Sequence, residues 1–256
     1  MTEPVRGIVA GIDGSRSAVE AACWAAREAR YRGAELTLLH TTFVPDPAPY
    51  VPVKLPRSYP DALREQGAEW LADAEQAVRE LDPGLVVHVV QREGVVLNGL
   101  IAATTTAQLV VVGSRGLGGV GGFVLGSVAR ALIARGQGPV AIVRGEAPDG
   151  APVAVGVSGE AESDPAIGFA FEAASQRRVP LLAVRASGEQ LPPRLDQWTT
   201  KYPDVEVRPI AVKGKHAKEI AKAAKDAQLV VVGVRGGAST AQALARTSSC
   251  PVAVIR

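Results

Sequence analysis

Charge of one sign, cysteine and long apolar runs are all scarce in this chain, and each shortage closes off a class of function. Lysine and arginine number 28 against 26 aspartates and glutamates, a net charge of +2, so no global field draws the protein onto nucleic acid or an anionic membrane. No run of about 18 apolar residues exists, which leaves no candidate membrane span. The opening Met1-Thr-Glu-Pro-Val-Arg6 lacks the charged-then-apolar character of a secretory leader, and a cytoplasmic location is expected. Cys23 and Cys250 form neither a disulfide framework nor a Cys-x-x-Cys pair, and both read as small buried hydrophobes. His40, His88 and His216 lie on separate elements without metal-ligand spacing, and no metal site is assigned. Gly-Lys-Ser and Gly-Lys-Thr are absent, which excludes a P-loop. Gly-x-Ser-x-Gly is absent too, so a hydrolase triad has no support.

Glycine is concentrated. Five of the seven residues from Gly116 to Gly122 are glycine, a density that is costly in conformational entropy unless close backbone approach or positive φ is needed. The stretch sits between an all-apolar strand, Leu109 to Val112, and a helix beginning at Ser127. Around it the pattern alternates. Arg6 to Ile12 is a first strand, and Ser17-Ala-Val-Glu20 matches a capping box that opens a helix with Val19, Cys23, Ala26 and Arg30 on one stripe, widened by Ala22 and Ala29. Glu35 to Thr41 is a second strand, followed by a proline-punctuated loop from Val44 to Pro60 and a helix from about Asp61 to Leu81. Leu85 to Gln91, a helix over Val95 to Ala107, the Leu109 strand, the Ser127 helix and a strand over Pro139 to Arg144 complete five strands and four helices. Such alternation specifies a parallel α/β sheet with right-handed crossovers.

The pattern then restarts. Pro152 to Gly159 echoes Gly7 to Gly14, Ala227 to Gly233 repeats Ala107 to Gly113 identically, and Pro251 to Arg256 repeats Pro139 to Arg144. The offset between matching pieces falls from 145 to 120 to 112, so the second copy is about 25 residues shorter before its fourth strand and about 8 shorter after it. The first loss covers the proline-rich loop and part of the next helix; the second falls inside the glycine loop.

In an open parallel sheet, ligands bind beyond the carboxyl ends of the strands where strand order reverses. Asp13 closes the first strand and the glycine loop the fourth, so adjacency of these strands would set a carboxylate and backbone N–H groups around one crevice. The helix beginning at Gly126-Ser127-Val128 offers free N–H groups and a positive dipole end to phosphate oxygens, and Ser127 adds a hydroxyl. Plainer readings stand beside these: Asp13 as a turn former, Arg115 as a solvated surface arginine, the glycines as a linker. Gly116-Leu-Gly-Gly-Val-Gly121 matches the dinucleotide fingerprint, but that motif belongs at the first strand of its sheet, and here it follows the fourth.

The wider spacing, Gly113-x-x-Gly116, nine residues, then Gly126-Ser127, resembles the nucleotide-binding signature of the universal stress protein family. Gly11-Ile-Asp-Gly-Ser15, Leu38-Leu-His40, Leu109-Val-Val-Val-Gly-Ser-Arg-Gly116 and Pro139-Val-Ala-Ile-Val-Arg144 are similar to that family's text in the same order. The resemblance implies two tandem five-stranded parallel-sheet α/β sandwich domains with strand order 3-2-1-4-5. Residues 1–146 would be the nucleotide-binding domain and residues 151–256 a reduced, degenerate one. It further implies ATP with Mg2+ in the first domain. Asp13 would lie at the ribose or its surroundings, Gly11 would line the same crevice, and the backbone of Thr41 would lie at the adenine. The Gly113-Ser114-Arg115-Gly116 turn would contact ribose and phosphates, and Gly126, Ser127 and Val128 would hold the phosphates. Ser158 replaces Asp13 in the second copy, and Ala238-Ser239 stands where Gly126-Ser127 does, so that copy is expected not to bind ATP. Its expected role is as an intramolecular pseudo-dimer partner, its last strand antiparallel to Ala141–Arg144; a homodimer and a regulatory protein partner are the other expectations. No catalytic residue is assigned. A slow ATPase and a nucleotide-free scaffold are the competing readings.

Overall fold

The computed structural model describes residues 7–44, 58–116, 125–145, 148–157, 164–186, 195–213, 217–234 and 238–256. Outside these fall most of the glycine loop, the proline-rich loop, Ser158, Lys215 and His216. The first half runs β1 (Ile8–Gly11), α1 (Arg16–Arg32), β2 (Leu36–Thr42), α2 (Tyr59–Leu81), β3 (Val87–Glu93), α3 (Val96–Ala103), β4 (Leu109–Gly113), α4 (Ser127–Arg135) and β5 (Val140–Val143). The second repeats the order with β6 (Val153–Gly156), α5 (Asp164–Arg177), β7 (Leu181–Ala186), α6 (Leu195–Lys201), β8 (Val207–Val212), α7 (Ala217–Ala223), β9 (Leu229–Gly233), α8 (Ser239–Thr247) and β10 (Val252–Ile255). Both shortenings inferred from the repeat offsets recur here. The helix α6 has 7 residues where α2 has 23, and residues 234–238 join β9 to α8 where residues 114–126 join β4 to α4.

The strands form one sheet in the order β3-β2-β1-β4-β5-β10-β9-β6-β7-β8. Each half therefore has the order 3-2-1-4-5, parallel throughout. Central strands are apolar on both faces because helices cover both: Leu109, Val110 and Val111 of β4 and their repeats Leu229, Val230 and Val231 are fully buried. One face packs on α1, α2 and α5, the other on α3, α4 and α8, with α7 against its rim.

Several local expectations shift. The cap of α1 is Ser15, whose hydroxyl accepts from Ala18 N at 3.2 Å; Ser17 is not a capping-box residue, and Glu20 instead pairs with Arg16. The buried face of α1 is the alanine row 18, 21, 22, 25, 26 and 29, with Trp24 and Glu28; of the expected stripe Ala22, Ala26 and Ala29 belong to it, whereas Val19 and Cys23 are half-buried and Arg30 is exposed. Proline is tolerated in a first helical turn, so α2 starts at Tyr59, ahead of Pro60.

The halves meet where β5 and β10 pair antiparallel, Ala141 opposite Ala253. Gly145, at φ 67°, lies so close to the carbonyl of Ser249 that a Cβ would sit 1.9 Å from that oxygen. Arg256 donates to the terminal carbonyls of α4 at Leu132 and Ile133. A second junction joins α1 to α5. Glu28, 1% exposed, accepts from Arg32 at 2.8 Å and from Arg177 of the other half. Arg32 stacks 4.4 Å over Phe169, and Arg177 stacks 4.5 Å over Tyr31. Removal of the shared carboxylate leaves Arg32 with Glu172 at 3.6 Å and Arg177 with the Ala173 carbonyl at 3.0 Å, both weaker partners for a buried guanidinium, so Glu28→Ala is expected to cost about 3 kcal/mol in a denaturant titration. Arg178, the repeat of Gly33, is held at φ 54°; Arg178→Gly is expected to raise stability by about 1 kcal/mol, and the same titration checks it.

Candidate functional site

The site is built where β1 and β4 lie side by side. The chain leaves β1 for β2 by way of α1 and returns by α3 to β4 on the other side of β1, so the connections diverge and leave a crevice beyond the strand ends. It encloses about 270 Å3, at the small end of ligand pockets. Gly11, Asp13, Thr41, Gly113, Arg115, Gly116, Gly126, Ser127 and Val128 all line it. Ser114 does not; it is 2% exposed, and its backbone holds the turn, donating to Val143 O at 2.9 Å and accepting from Gly126 N at 2.8 Å.

Close approach of backbone demands glycine at one of these positions, and a side-chain oxygen crowds a second. A Cβ on Gly113 would lie 2.1 Å from Ser17 Oγ and 2.6 Å from Ser17 O, so β4 ends directly against the first turn of α1. A Cβ on Gly116 would lie 2.7 Å from Asp13 Oδ2, and the turn after β4 therefore lies on the carboxylate. The other carboxylate oxygen is already engaged: Asp13 Oδ1 accepts from Ser15 N at 3.1 Å and Ser15 Oγ at 2.6 Å. Asp13 is thus both the turn former of the plainer reading and a wall of the crevice.

The crevice has two ends of different chemistry. On the β4 side lie Arg115, Gly116 and the start of α4, where Gly126 supplies no side-chain cap and the first turn holds no acidic residue. Its leading N–H groups and dipole are left for an outside acceptor. Arg144 stands near Arg115; burial first, and then the charge of Arg115, hold the Arg144 guanidinium below the usual arginine range. An anion relieves such a pair of like charges.

On the β2 side the lining is Leu39, Thr41, Val96 and Leu100. Leu39 O accepts from Ile12 N at 2.9 Å, whereas Thr42 O accepts from Gly94 N at 3.0 Å, so alternate residues of β2 turn their backbone to β1 and to β3. Thr41, in step with Leu39, faces the β1 side beyond Gly11, where that strand has ended. Its N–H and C=O edge is open to the crevice. Sequence reasoning missed Ile12, Leu39, Val96 and Leu100 as lining residues; the period-2 alternation of β2 around Thr41 would have located Leu39.

Among the described residues no cluster of His, Cys, Asp or Glu could hold a metal. Asp13 alone fits only an ion that brings most of its own oxygen ligands, as Mg2+ does on a polyphosphate. No helix of the described residues is long and apolar enough to cross a membrane.

Fold and crevice together define a tandem doubly wound α/β protein with a ligand-type crevice at the switch point of its first half. The sequence profile of the universal stress protein family matches residues 4–144. A universal stress protein of Mycolicibacterium smegmatis is 34% identical over 289 residues, covering 98% of this chain and 97% of that one. One from Mycobacterium tuberculosis H37Rv is 32% identical over 287 residues, covering 98% and 96%. The crystal structure of a universal stress protein from Archaeoglobus fulgidus superposes with a TM-score of 0.79 at 19% identity, covering 98% of this chain and 96% of that chain. This chain belongs to the universal stress protein family.

The two uses of Asp13 can be separated. Asp13→Asn keeps the Oδ1 acceptor for Ser15 and should leave stability within about 0.5 kcal/mol of wild type, whereas Asp13→Ala releases the cap and should cost about 1–2 kcal/mol. Urea midpoints of the two variants check this.

Proposed function

We propose that this protein binds ATP in the first-half crevice, one nucleotide per chain, and couples its occupancy to a conformation or protein partner in a stress response. The observation that carries the reading is the polarity of the crevice: an apolar slot with an open backbone edge at Thr41, and a cationic, N–H-rich end at Arg115, Gly116 and the start of α4. A nucleotide has the same division. Its base would lie against Leu39, Thr41 and Leu100, its ribose at Gly11 and Asp13, and its phosphates on Gly113, Arg115, Gly116, Gly126, Ser127 and Val128. Mg2+ would come with the phosphates and offset their charge, with Asp13 as the protein's carboxylate nearest to it.

Residues 1–146 form the nucleotide-binding domain in this reading, and residues 151–256 a degenerate domain that serves as its pseudo-dimer partner within the chain. The connection of residues 234–238 is much shorter than that of residues 114–126, too short to wrap a polyphosphate as the longer one would in this reading, and Val234 and Ala238 replace Ser114 and Gly126 at its two ends. No general base is assigned, and turnover is expected to be slow or absent.

Released nucleotide tests the reading. Denatured protein is expected to yield ATP by mass spectrometry, at no more than one per chain after saturation. Mg-ATP at 100 times its dissociation constant should stabilise wild type by about 2.7 kcal/mol, a shift of several degrees in melting temperature. Gly116→Ala, which pushes on Asp13, should lose most of that shift. Two nucleotides per chain would overturn the one-site claim, ADP accumulating in wild type alone would favour the ATPase reading, and no nucleotide with an unmoved melting temperature would leave the scaffold.

A further inference from the structure

Thr41 carries a group that the fold itself does not use. Its side chain projects from β2 on the side of the sheet covered by α3, and the residue is 5% exposed. Its Oγ1 is buried without a hydrogen-bond partner among the described residues. A hydroxyl buried without a partner in this position is costly and brings the free protein no benefit. Valine has nearly the same shape and would fill the position without that penalty.

The neighbouring helix accommodates the hydroxyl. Gly99 of α3 lies over it, and a Cβ there would come 3.0 Å from Oγ1. Any other residue at 99 would crowd the threonine oxygen. Thr41 also lines the crevice, at its apolar end with Leu39 and Leu100. A molecule in the crevice could offer the partner that the described residues do not. A threonine χ1 turn between staggered wells exchanges Oγ1 and Cγ2, so the oxygen can be presented to the crevice without moving the strand.

We infer that the Thr41 hydroxyl hydrogen-bonds the base of the bound nucleotide and is a specificity-determining contact of this site. The inference rests on the nucleotide reading above, since phosphates on the α4 end place the base at the β2 end. It is distinct from the backbone edge of the same residue, which any amino acid would offer. A hydroxyl both donates and accepts, and the edge of a purine carries acceptors and a donor in the plane that this slot would hold.

Thr41→Val and Thr41→Ser separate this role from a packing one. With the unpaired oxygen removed, the ligand-free Thr41→Val protein should melt about 2–4 °C higher than wild type. Its affinity for Mg-ATP, measured by isothermal titration calorimetry, should fall about 3- to 10-fold, as expected for one lost neutral hydrogen bond. Thr41→Ser should hold affinity within about 2-fold of wild type, because it keeps the hydroxyl. Stability and affinity thus move in opposite directions, which a structural threonine would not produce. A Thr41→Val protein that binds Mg-ATP as tightly as wild type overturns the inference while leaving the nucleotide reading intact. So does a ligand-free Thr41→Val protein that melts below wild type, since the hydroxyl would then have a partner within the fold. Wild-type protein that binds no nucleotide overturns the reading and the inference together.

Discussion

The end of β4 rests on the first turn of α1, and the approach of Gly113 to Ser17 is the constraint from which the rest of the site follows. It brings the chain after β4 under the loop after β1, so that Gly116 meets the Asp13 carboxylate and the Arg115 amide faces Ser17 Oγ at 3.4 Å. The same contact sets how α1 lies on the sheet. Its buried face is mostly alanine, and its first turn is tied by Ser15 to Asp13. Crevice and helix packing are two consequences of one close approach.

The two halves are joined by devices of different kinds. The β5–β10 ladder is backbone pairing between nearly identical sequences, Val140-Ala-Ile-Val143 and Val252-Ala-Val-Ile255, and its centre falls between two alanines. The Glu28 cluster breaks that symmetry. Arg32 and Arg177 are repeats of each other, yet both converge on a carboxylate from the first half, and each stacks on an aromatic ring of the opposite half. A buried ion pair of this sort adds little net stability but penalises alternatives that leave a charge unpaired. The same divergence appears in the left-handed position that ends each first helix, which is glycine in one half and arginine in the other.

Much of this architecture was legible in the residue order because its carriers are local or repeated. All-apolar Leu-Val-Val-Val runs, helical spacing between them and a second occurrence of the same segments specify parallel strands, their number and the duplication. The lost segments could be placed to within an element, since an offset between repeats survives any uncertainty in helix ends. Less legible was which face of α1 is buried, because alanine carries little hydrophobic signal and the decisive factor is a distance between backbones. The capping serine was misplaced by two residues for a related reason: Ser15 and Ser17 are both plausible caps locally, and only the position of β4 decides that Ser17 is needed elsewhere.

The site divides along the same line. Residue types and spacing by themselves marked a glycine-rich connection between the fourth strand and its helix, with Asp13 as its distant companion, because glycine spacing and strand ends are properties of the chain; Thr41 entered only through the family resemblance. Tertiary structure alone decided that Ser114 supports the turn from behind, that one Asp13 oxygen is spent on the Ser15 cap, that Leu39, Val96 and Leu100 form an apolar end, and that the Thr41 hydroxyl has no partner among the described residues. These depend on which atoms from separate elements come within a few ångströms of one another, and that is set by the packing of α1, α3 and α4 on the sheet.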